Sequence, residues 1–126
     1  MDRLNQINDI IIAPHFNLSE FACPCCHKVM LHPGLLAKLV ALRNVLEKPV
    51  YITSGYRCPS YNRKVGGVAN SYHCIGLAAD IQVKEINLME LLAYAEEIDF
   101  SGIGFYEKRH FLHLDVRPTI KSRWQE

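Results

Sequence analysis

The chain has 126 residues, with 14 basic and 13 acidic side chains and a formal net charge of +1. This length suits one domain, and 49% hydrophobic against 21% charged residues is the balance of an ordinary globular protein. The near-neutral charge, without a polybasic run, argues against nucleic acid as a principal partner, and no apolar run is long enough to span a membrane.

The first residues lack the features of a secretory leader. No basic stretch precedes an apolar core there, and the run Ile10–Ile12 is too short to serve as one. We therefore expect synthesis in the cytoplasm without a signal peptide. Separately, we expect the protein to be a monomer. Residues 1–16 are expected to form an extended arm or an edge strand.

Two helical signals come next along the chain. Asn17 followed by Glu20 has the spacing of a capping box, which predicts a short helical turn. The longest helix is predicted from Pro33 to Glu47, because leucines and valines recur there at helical spacing. A proline is tolerated at the start of that helix, and Pro49 ends it.

The remaining elements alternate between strands and helices. We predict strands at 50–54 and 80–83, helices at 60–65 and 87–98, a hairpin of strands 102–106 and 111–116, and a polar tail with Trp124 as an anchor. This order predicts an α+β fold, with helices on one face of a small antiparallel sheet and polar ligands on the other. We treat residues 1–126 as one domain with a core at about 17–117.

The five cysteines are an odd number, so they cannot all pair in disulfides. We expect Cys23, Cys25 and Cys26 to be reduced, packed thiols of a cytosolic protein, and we assign them no role. A structural metal site that adds His27 or His32 is disfavoured. Adjacent side chains at Cys25 and Cys26 would diverge in extended chain, and no second cysteine pair follows at finger-like spacing.

The densest group of reactive side chains lies in residues 71–80, which read SYHCIGLAAD. His73 precedes a glycine, which is typical of a loop. Asp80 begins an apolar alternation, which is typical of a strand. A loop imidazole and a strand carboxylate can converge on one cation, but two ligands do not hold a catalytic zinc ion.

The third ligand is expected from residues 110–117, which read HFLHLDVR. These residues alternate with period two, so His113 would project from the polar face of a strand. His73, Asp80 and His113 would together give zinc three protein ligands and leave its fourth position open, as catalytic zinc sites require.

Asp115 follows His113 by two residues and would share its face of the strand. Two roles are open for this carboxylate. It could accept the outer N–H of a histidine ligand, which orients the ring and fixes its tautomer. It could also form a structural ion pair with Arg117 or Arg109.

A hydrolase also needs a proton acceptor and a group that stabilises the oxyanion. His110 is the nearest candidate base, although its odd offset from His113 requires it to lie on a turn or bulge. Glu107, on the same turn, is the alternative. Arg57 is placed at a strand end, where it could bind a substrate carboxylate or the oxyanion, and Ser71 could add a hydrogen bond.

These motifs together resemble a known family. The pattern SxHxxGxAxD at residues 71–80, with SGYR at 54–57 and HxD at 113–115, is similar to the zinc D-alanyl-D-alanine carboxypeptidases. That family includes peptidoglycan D,D-carboxypeptidases, D-Ala-D-Ala dipeptidases and phage L-alanyl-D-glutamate endolysins, and shares its fold with the Hedgehog signalling domain. The resemblance covers about residues 17–117 and implies a Hedgehog/D-Ala-D-Ala peptidase-like fold.

The resemblance also implies roles for individual residues. His73, Asp80 and His113 match the Zn²⁺ ligands, His110 matches the base and Arg57 matches the arginine that contacts substrate. Some relatives carry glutamate in place of His110. The implied function is hydrolysis of peptide bonds in peptidoglycan stem peptides, as a carboxypeptidase or as an endolysin-type endopeptidase.

The short length suits a bare catalytic domain such as phages and prophages encode. A chain without a signal peptide would then reach the cell wall through a holin or through virion delivery. The alternative is a non-catalytic module that holds metal and binds the cell wall, or that forms a structural part of a virion.

Overall fold

The computed structural model describes residues 7–126. Its strands are β1 (Ile11–Ala13), β2 (Phe16–Asn17), β3 (Tyr51–Ser54), β4 (Ala78–Gln82), β5 (Gly102–Tyr106), β6 (Phe111–Asp115) and β7 (Ser122–Gln125). Its helices are α1 (Pro33–Leu46), α2 (Pro59–Lys64) and α3 (Leu88–Ile98), with 3₁₀ turns at Leu18–Phe21 and Tyr72–Ile75. The predicted α+β class is confirmed.

The first part of the chain forms a small ribbon. Strands β1 and β2 pair antiparallel, which is the extended conformation expected there. Residues 1–6 of the predicted arm lie outside the described residues. The capping box predicted at Asn17 is present, because its side chain accepts from the N–H of Ser19 while Glu20 accepts from the backbone N–H of Asn17.

The main sheet has the strand order β3-β4-β6-β5-β7 and contains all the longer strands. Ile81, Leu112 and Leu114 project from one face and are fully buried beneath the helices. The register places Asp80 directly opposite His113, so the polar residues of β4 and β6 share the other face. Helices α1 and α3 therefore pack on the face opposite the polar residues, as predicted. The short helix α2 departs from this prediction, because its Asn62 contacts Arg57 on the polar side of the sheet.

Helix α1 begins and ends close to its predicted bounds. The His32 ring nitrogen Nδ1 accepts from the N–H of Gly34, 2.9 Å away, and caps the helix in front of Pro33. Glu47 ends the helix in a left-handed conformation. Its buried side chains carry most of the helical layer of the core: Leu35, Leu39, Leu42 and Leu46.

The prediction of a polar tail after Pro118 was wrong. Residues 122–125 form β7, which pairs parallel with β5, so the sheet is antiparallel in every pair except this last one. The parallel pairing of β5 with β7 joins residues about twenty positions apart, and no periodic pattern in neighbouring residues predicts it. Gly104 on β5 leaves room for Trp124, because a Cβ at that glycine would come within 2.6 Å of the indole.

The strand predicted to begin at Asp80 begins two residues earlier, at Ala78. Alanine lacks the β-branched or aromatic side chain that favours strands, so the sequence marked this boundary too late. No helix among residues 7–126 is long and apolar enough to cross a membrane.

Candidate metal centre

The loop before β4 fixes His73 on its turn. The hydroxyl of Ser71 accepts from the backbone N–H of His73 at 3.2 Å, and Gly76 ends the turn at a φ of 76°. The ring nitrogen Nδ1 of His73 lies 2.8 Å from the carbonyl oxygen of Gly55. Because that oxygen can only accept, Nδ1 carries the proton and Nε2 is left to bind a cation.

The other two predicted ligands face each other across β4 and β6. Asp80 Oδ1 lies 3.2 Å from His73 Nε2 and 3.1 Å from His113 Nδ1. The three ligand atoms lie within 4.8 Å of one another. The structure therefore brings together the three side chains that the sequence separates by up to forty positions.

The outer nitrogen of His113 is also engaged. Its Nε2 lies 2.7 Å from Asp115 Oδ2, and Asp115 is fully buried. Arg117 donates to both oxygens of that carboxylate, at 2.9 Å from Nε and 2.7 Å from Nη2. Asp115 thus makes both contacts that the sequence left open, one with a histidine ring and one with an arginine.

Acidic and basic side chains lie in contact around His73, Asp80 and His113, which we call the His–Asp–His cluster. Burial opposes ionisation of Asp80, but hydrogen bonds from His113 and His73 hold its pKa well below the usual range. Burial likewise opposes ionisation of Asp115, and Arg117 and His113 together hold its pKa well below that range. Burial opposes protonation of His113, whereas Asp115 and Asp80 raise its pKa overall. The site stabilises positive charge between its imidazoles, which is the charge that a metal ion brings.

Arg57 is fixed beside the cluster by three acceptors. Its Nε donates to Ser54 Oγ at 3.0 Å, Nη1 donates to Asn62 Oδ1 at 3.3 Å, and Nη2 donates to Asp80 Oδ2 at 3.1 Å. Only 15% of the Arg57 side chain is exposed. The guanidinium is therefore held at the oxygen of Asp80 that does not face the histidines.

A cavity of about 560 Å³ opens onto the cluster. Besides the three cluster residues, the side chains that line it are mostly cationic or aromatic: Arg57, Arg109, Arg117, Tyr72, Tyr106, Phe111 and Trp124, together with Ser71 and Glu126. The Trp124 ring lies 5.0 Å from the His113 ring, and the Arg117 guanidinium lies 4.6 Å from the centre of the Tyr72 ring. The strand missed by the sequence analysis thus supplies one wall of the cavity.

His110 is the one predicted site residue that the structure does not bring to the cluster. It lies exposed on the turn before β6, with a φ of 57°, and its carbonyl oxygen accepts from Gln82 Nε2 at 3.1 Å. It lines a separate cavity with Tyr51 and Lys84. The expected turn is present, but His110 lies outside the cavity of the three ligands, and the role of base stays a prediction. Glu107, the alternative, also lies outside the cavity of the cluster.

Sequence reasoning missed three supports of the site: the Gly55 carbonyl, Asn62 and Trp124. The Gly55 carbonyl acts through a contact with His73, 18 positions away, whereas Asn62 contacts Arg57 only five positions away, through the fold of the loop into α2. The sequence GIG of residues 102–104 was an available signal. These glycines lie opposite Asp115 and His113, where added Cβ atoms would overlap the Asp115 carboxylate and the Trp124 indole.

Most of the chain matches the model of one protein family. A family model described as peptidase M15 matches residues 14–115, which include all three cluster residues. The chain belongs to the peptidase M15 family. The resemblance predicted from the motifs at residues 71–80 and 113–115 is confirmed. Strand β7 lies beyond the matched part of this M15 chain.

The curated relatives of this M15 chain have names that describe peptidoglycan endopeptidases. The peptidoglycan L,D-endopeptidase MepK of Escherichia coli strain K12 is 33% identical over 96 residues, which are 71% of this chain and 53% of that protein. The probable peptidoglycan L,D-endopeptidase MepK of Haemophilus influenzae is 34% identical over 97 residues, 71% of this chain and 52% of that protein. The chain thus spans about half the length of the curated relatives it matches.

The donor set of this M15 chain fits zinc. Two imidazoles and one carboxylate form a common ligand set of catalytic zinc sites. Each imidazole has its outer nitrogen engaged, by the Gly55 carbonyl for His73 and by the Asp115 carboxylate for His113. Such partners orient the rings before the ion arrives, so the residues present could hold Zn²⁺ without rearrangement of the strands.

Proposed function

We propose that this chain is a zinc-dependent peptidase that cleaves peptide bonds in peptidoglycan. The observation that carries the proposal is the convergence of His73 Nε2, Asp80 Oδ1 and His113 Nδ1 within 4.8 Å at an arginine-lined cavity. The family membership and the names of the MepK relatives support the same chemistry. The L,D bond in those names is the first bond to test.

The chain's own residues would prepare the reaction in two ways. Zn²⁺ held by the three ligands supplies a Lewis acid, which polarises a carbonyl group and acidifies water. Asp115 and the Gly55 carbonyl keep the imidazoles in the tautomers that leave a ligand nitrogen free. Arg57 presents a fixed cation at the edge of the cluster, where negative charge develops on a scissile carbonyl oxygen.

The lining of the cavity supports an anionic peptide as substrate. Arg57, Arg109 and Arg117 line it, against the carboxylates of Asp80 and Glu126. The L-Ala-D-Glu and D-Ala-D-Ala bonds considered above both lie next to a carboxylate. Arg57 and Arg117 are already paired with Asp80 and Asp115, whereas Arg109 makes no ion pair among the described residues. Arg109 could therefore bind a substrate carboxylate through two parallel hydrogen bonds and orient the peptide with its scissile bond near the metal.

We propose His110 as the group that accepts the proton, which is the role that the sequence motifs predict for it. The imidazole lies outside the cavity, so His110→Ala decides the point directly. A loss of kcat in this variant with unchanged zinc content supports His110 as the base. Unchanged kcat removes it and moves the role to a group that lines the cavity, where Glu126 is the remaining carboxylate besides Asp80 among the described residues.

The function is tested by digestion of purified peptidoglycan, with mass spectrometry of the released muropeptides. We expect the wild-type protein to release peptides, to lose activity after chelation and to regain it when zinc is added. His113→Ala should release none, whereas His15→Ala, at an exposed histidine remote in sequence, serves as the matched control. Zinc bound at the cluster without cleavage of any bond would contradict the proposal and favour the metal-holding binding module.

The biological setting is part of the proposal. We propose that the chain acts at the bacterial cell wall as a monomer, delivered by a phage-type route through a holin or a virion. Detection in purified phage particles would identify virion delivery. Release only on co-expression with a holin would identify the lysis route, and presence at the wall without either would contradict phage delivery.

A further inference from the structure

A second group of metal-ligating side chains lies on loops away from the His–Asp–His cluster. It consists of Cys23, Cys25 and Cys26 from the loop before α1, and Cys58 from the loop before α2. We call these four residues the cysteine cluster. Their sulfur atoms all lie within 4.8 Å of one another, although Cys58 is 33 positions from Cys25 in the sequence.

The spacing of the sulfurs matches a tetrahedron around one ion. Zinc–sulfur bonds of about 2.3 Å place the corners of a regular tetrahedron about 3.8 Å apart. Sγ of Cys25 lies 3.6 Å from that of Cys23 and 3.4 Å from that of Cys58. A disulfide requires sulfurs about 2.0 Å apart, and all five thiols of the chain are free.

The expectation that these thiols are merely packed does not fit the structure. Cys23 is buried, but Cys25 and Cys26 are exposed and Cys58 is only partly covered. Exposed cysteines gain little from packing, so burial in the core does not explain why the four sulfurs lie within 4.8 Å of one another. The fifth cysteine, Cys74, is also a free thiol but lies outside the cysteine cluster, so it serves as the control residue for the experiment below.

The objections raised by the sequence are also removed. The chain at Cys25 and Cys26 is a tight turn rather than extended, closed by a hydrogen bond of 2.8 Å from the N–H of His27 to the carbonyl oxygen of Cys23. Cys23 and Cys26 have the C-x₂-C spacing that zinc sites favour, and Cys58 is the fourth ligand that no nearby pair supplied. Backbone N–H groups of Cys58 and Tyr61 donate to the sulfurs of Cys23 and Cys58 at 3.5 and 3.4 Å, which helps to hold both sulfurs in place.

We propose that Cys23, Cys25, Cys26 and Cys58 bind a second, structural zinc ion. All four positions around the ion are then filled by protein, so this site holds the fold and does no chemistry on a substrate. Four thiolates select zinc or iron over calcium and magnesium, and iron is the alternative that metal analysis must exclude. The proposal does not rest on the peptidase activity.

The second ion would fasten the loop that carries Arg57. The N–H of Tyr56 donates to the carbonyl oxygen of Phe21 at 2.8 Å, and the N–H of Arg57 donates to that of His73 at 3.2 Å. Cys58 continues this loop into the cysteine cluster. An ion there would tie the segment after Phe21 to the loop that presents Arg57 and the Gly55 carbonyl, so that it supports the first site without touching a substrate.

The experiment counts metals in protein purified under reducing conditions, by elemental analysis. We expect about two zinc ions per chain in the wild type, and about one in both His113→Ala and Cys58→Ser, because each variant removes one site. The double variant should hold none, and Cys74→Ser should hold two. Cobalt in place of zinc should give a sulfur-to-cobalt charge-transfer band that Cys58→Ser loses and His113→Ala keeps.

The outcomes separate this site from the first one. One zinc ion per wild-type chain that disappears in His113→Ala but not in Cys58→Ser would overturn the proposal, and so would iron at the cysteine cluster. A disulfide would also overturn it, seen as two fewer titratable thiols per denatured chain. Should Cys58→Ser fail to fold, Cys26→Ser, at an exposed position on the turn, repeats the metal count and the cobalt spectrum.

Discussion

The two clusters of this molecule differ in what holds their members. His73, Asp80 and His113 are kept in place by strand pairing, by burial and by hydrogen bonds to the far side of each imidazole. The cysteine cluster lies on loops, is half exposed, and joins its members mainly through the sulfurs themselves. A site that must keep one coordination position open needs a scaffold independent of the ion, whereas a closed site can use the ion as its scaffold.

The largest expected effect comes from removing a ligand of the strand-held cluster. His113→Ala should lower peptidase activity by more than about 10³-fold, because Lewis-acid catalysis is worth several kcal/mol and each 1.4 kcal/mol is tenfold in rate. The protein should stay folded and should keep the zinc ion that we propose at the cysteine cluster. Turnover of muropeptides and zinc content are measured together, and loss of both zinc ions would show that the clusters are not independent.

Arg57 belongs to both regions, since its side chain contacts Asp80 and its loop leads to Cys58. Arg57→Lys should lower kcat by about 10²-fold at unchanged zinc content, because a lysine cannot replace a fixed guanidinium fork. Steady-state kinetics on muropeptides measure the effect. Arg63→Lys, at an exposed position of α2, is the matched control, and an equal loss in both would contradict a specific role for Arg57.

Asp115 tests how much of the first site is arranged before metal binds. Asp115→Asn should weaken zinc binding at the histidine cluster by about 10- to 100-fold, as removal of such partners generally does. Competition with a chromogenic chelator measures the affinity. Asp99→Asn, at an exposed aspartate on another loop, should bind zinc like the wild type, and equal affinity in both variants would assign Asp115 to structure alone.

The smallest effect concerns the wall that β7 adds to the cavity. Gly104→Ala should lower the free energy of unfolding by about 1–3 kcal/mol, because the added Cβ meets the rigid Trp124 ring. Urea denaturation measures it, and the same change in a Trp124→Ala background should cost less. Equal costs in both backgrounds would show that the indole does not pack on this glycine in solution.

Much of the first site was readable from the sequence, because strands impose a period of two. That period placed His113 on the polar face, and the spacing of residues 71–80 placed His73 and Asp80 beside it. Helices α1 and α3 were equally clear, since their leucines recur at helical spacing between caps.

What the sequence did not reveal depends on contacts between distant segments. Cys58 meets the other cysteines through the folding of two loops, and the direction of Cys25 and Cys26 depends on a turn. The position of His110 depends on how the turn before β6 folds, and β7 depends on a parallel pairing without a local period. None of these leaves a pattern in neighbouring residues.

Strand β7 ends against the cavity, since the backbone of Glu126 pairs with Phe105 and Glu107 while its side chain lines the opening. Any residues that follow Glu126, natural or added for purification, therefore start at the rim of the cleft. A polyhistidine tag placed there would bring extra imidazoles close to the cavity that His73, Asp80 and His113 line. Tags should be cleaved before metals are counted or substrates are offered.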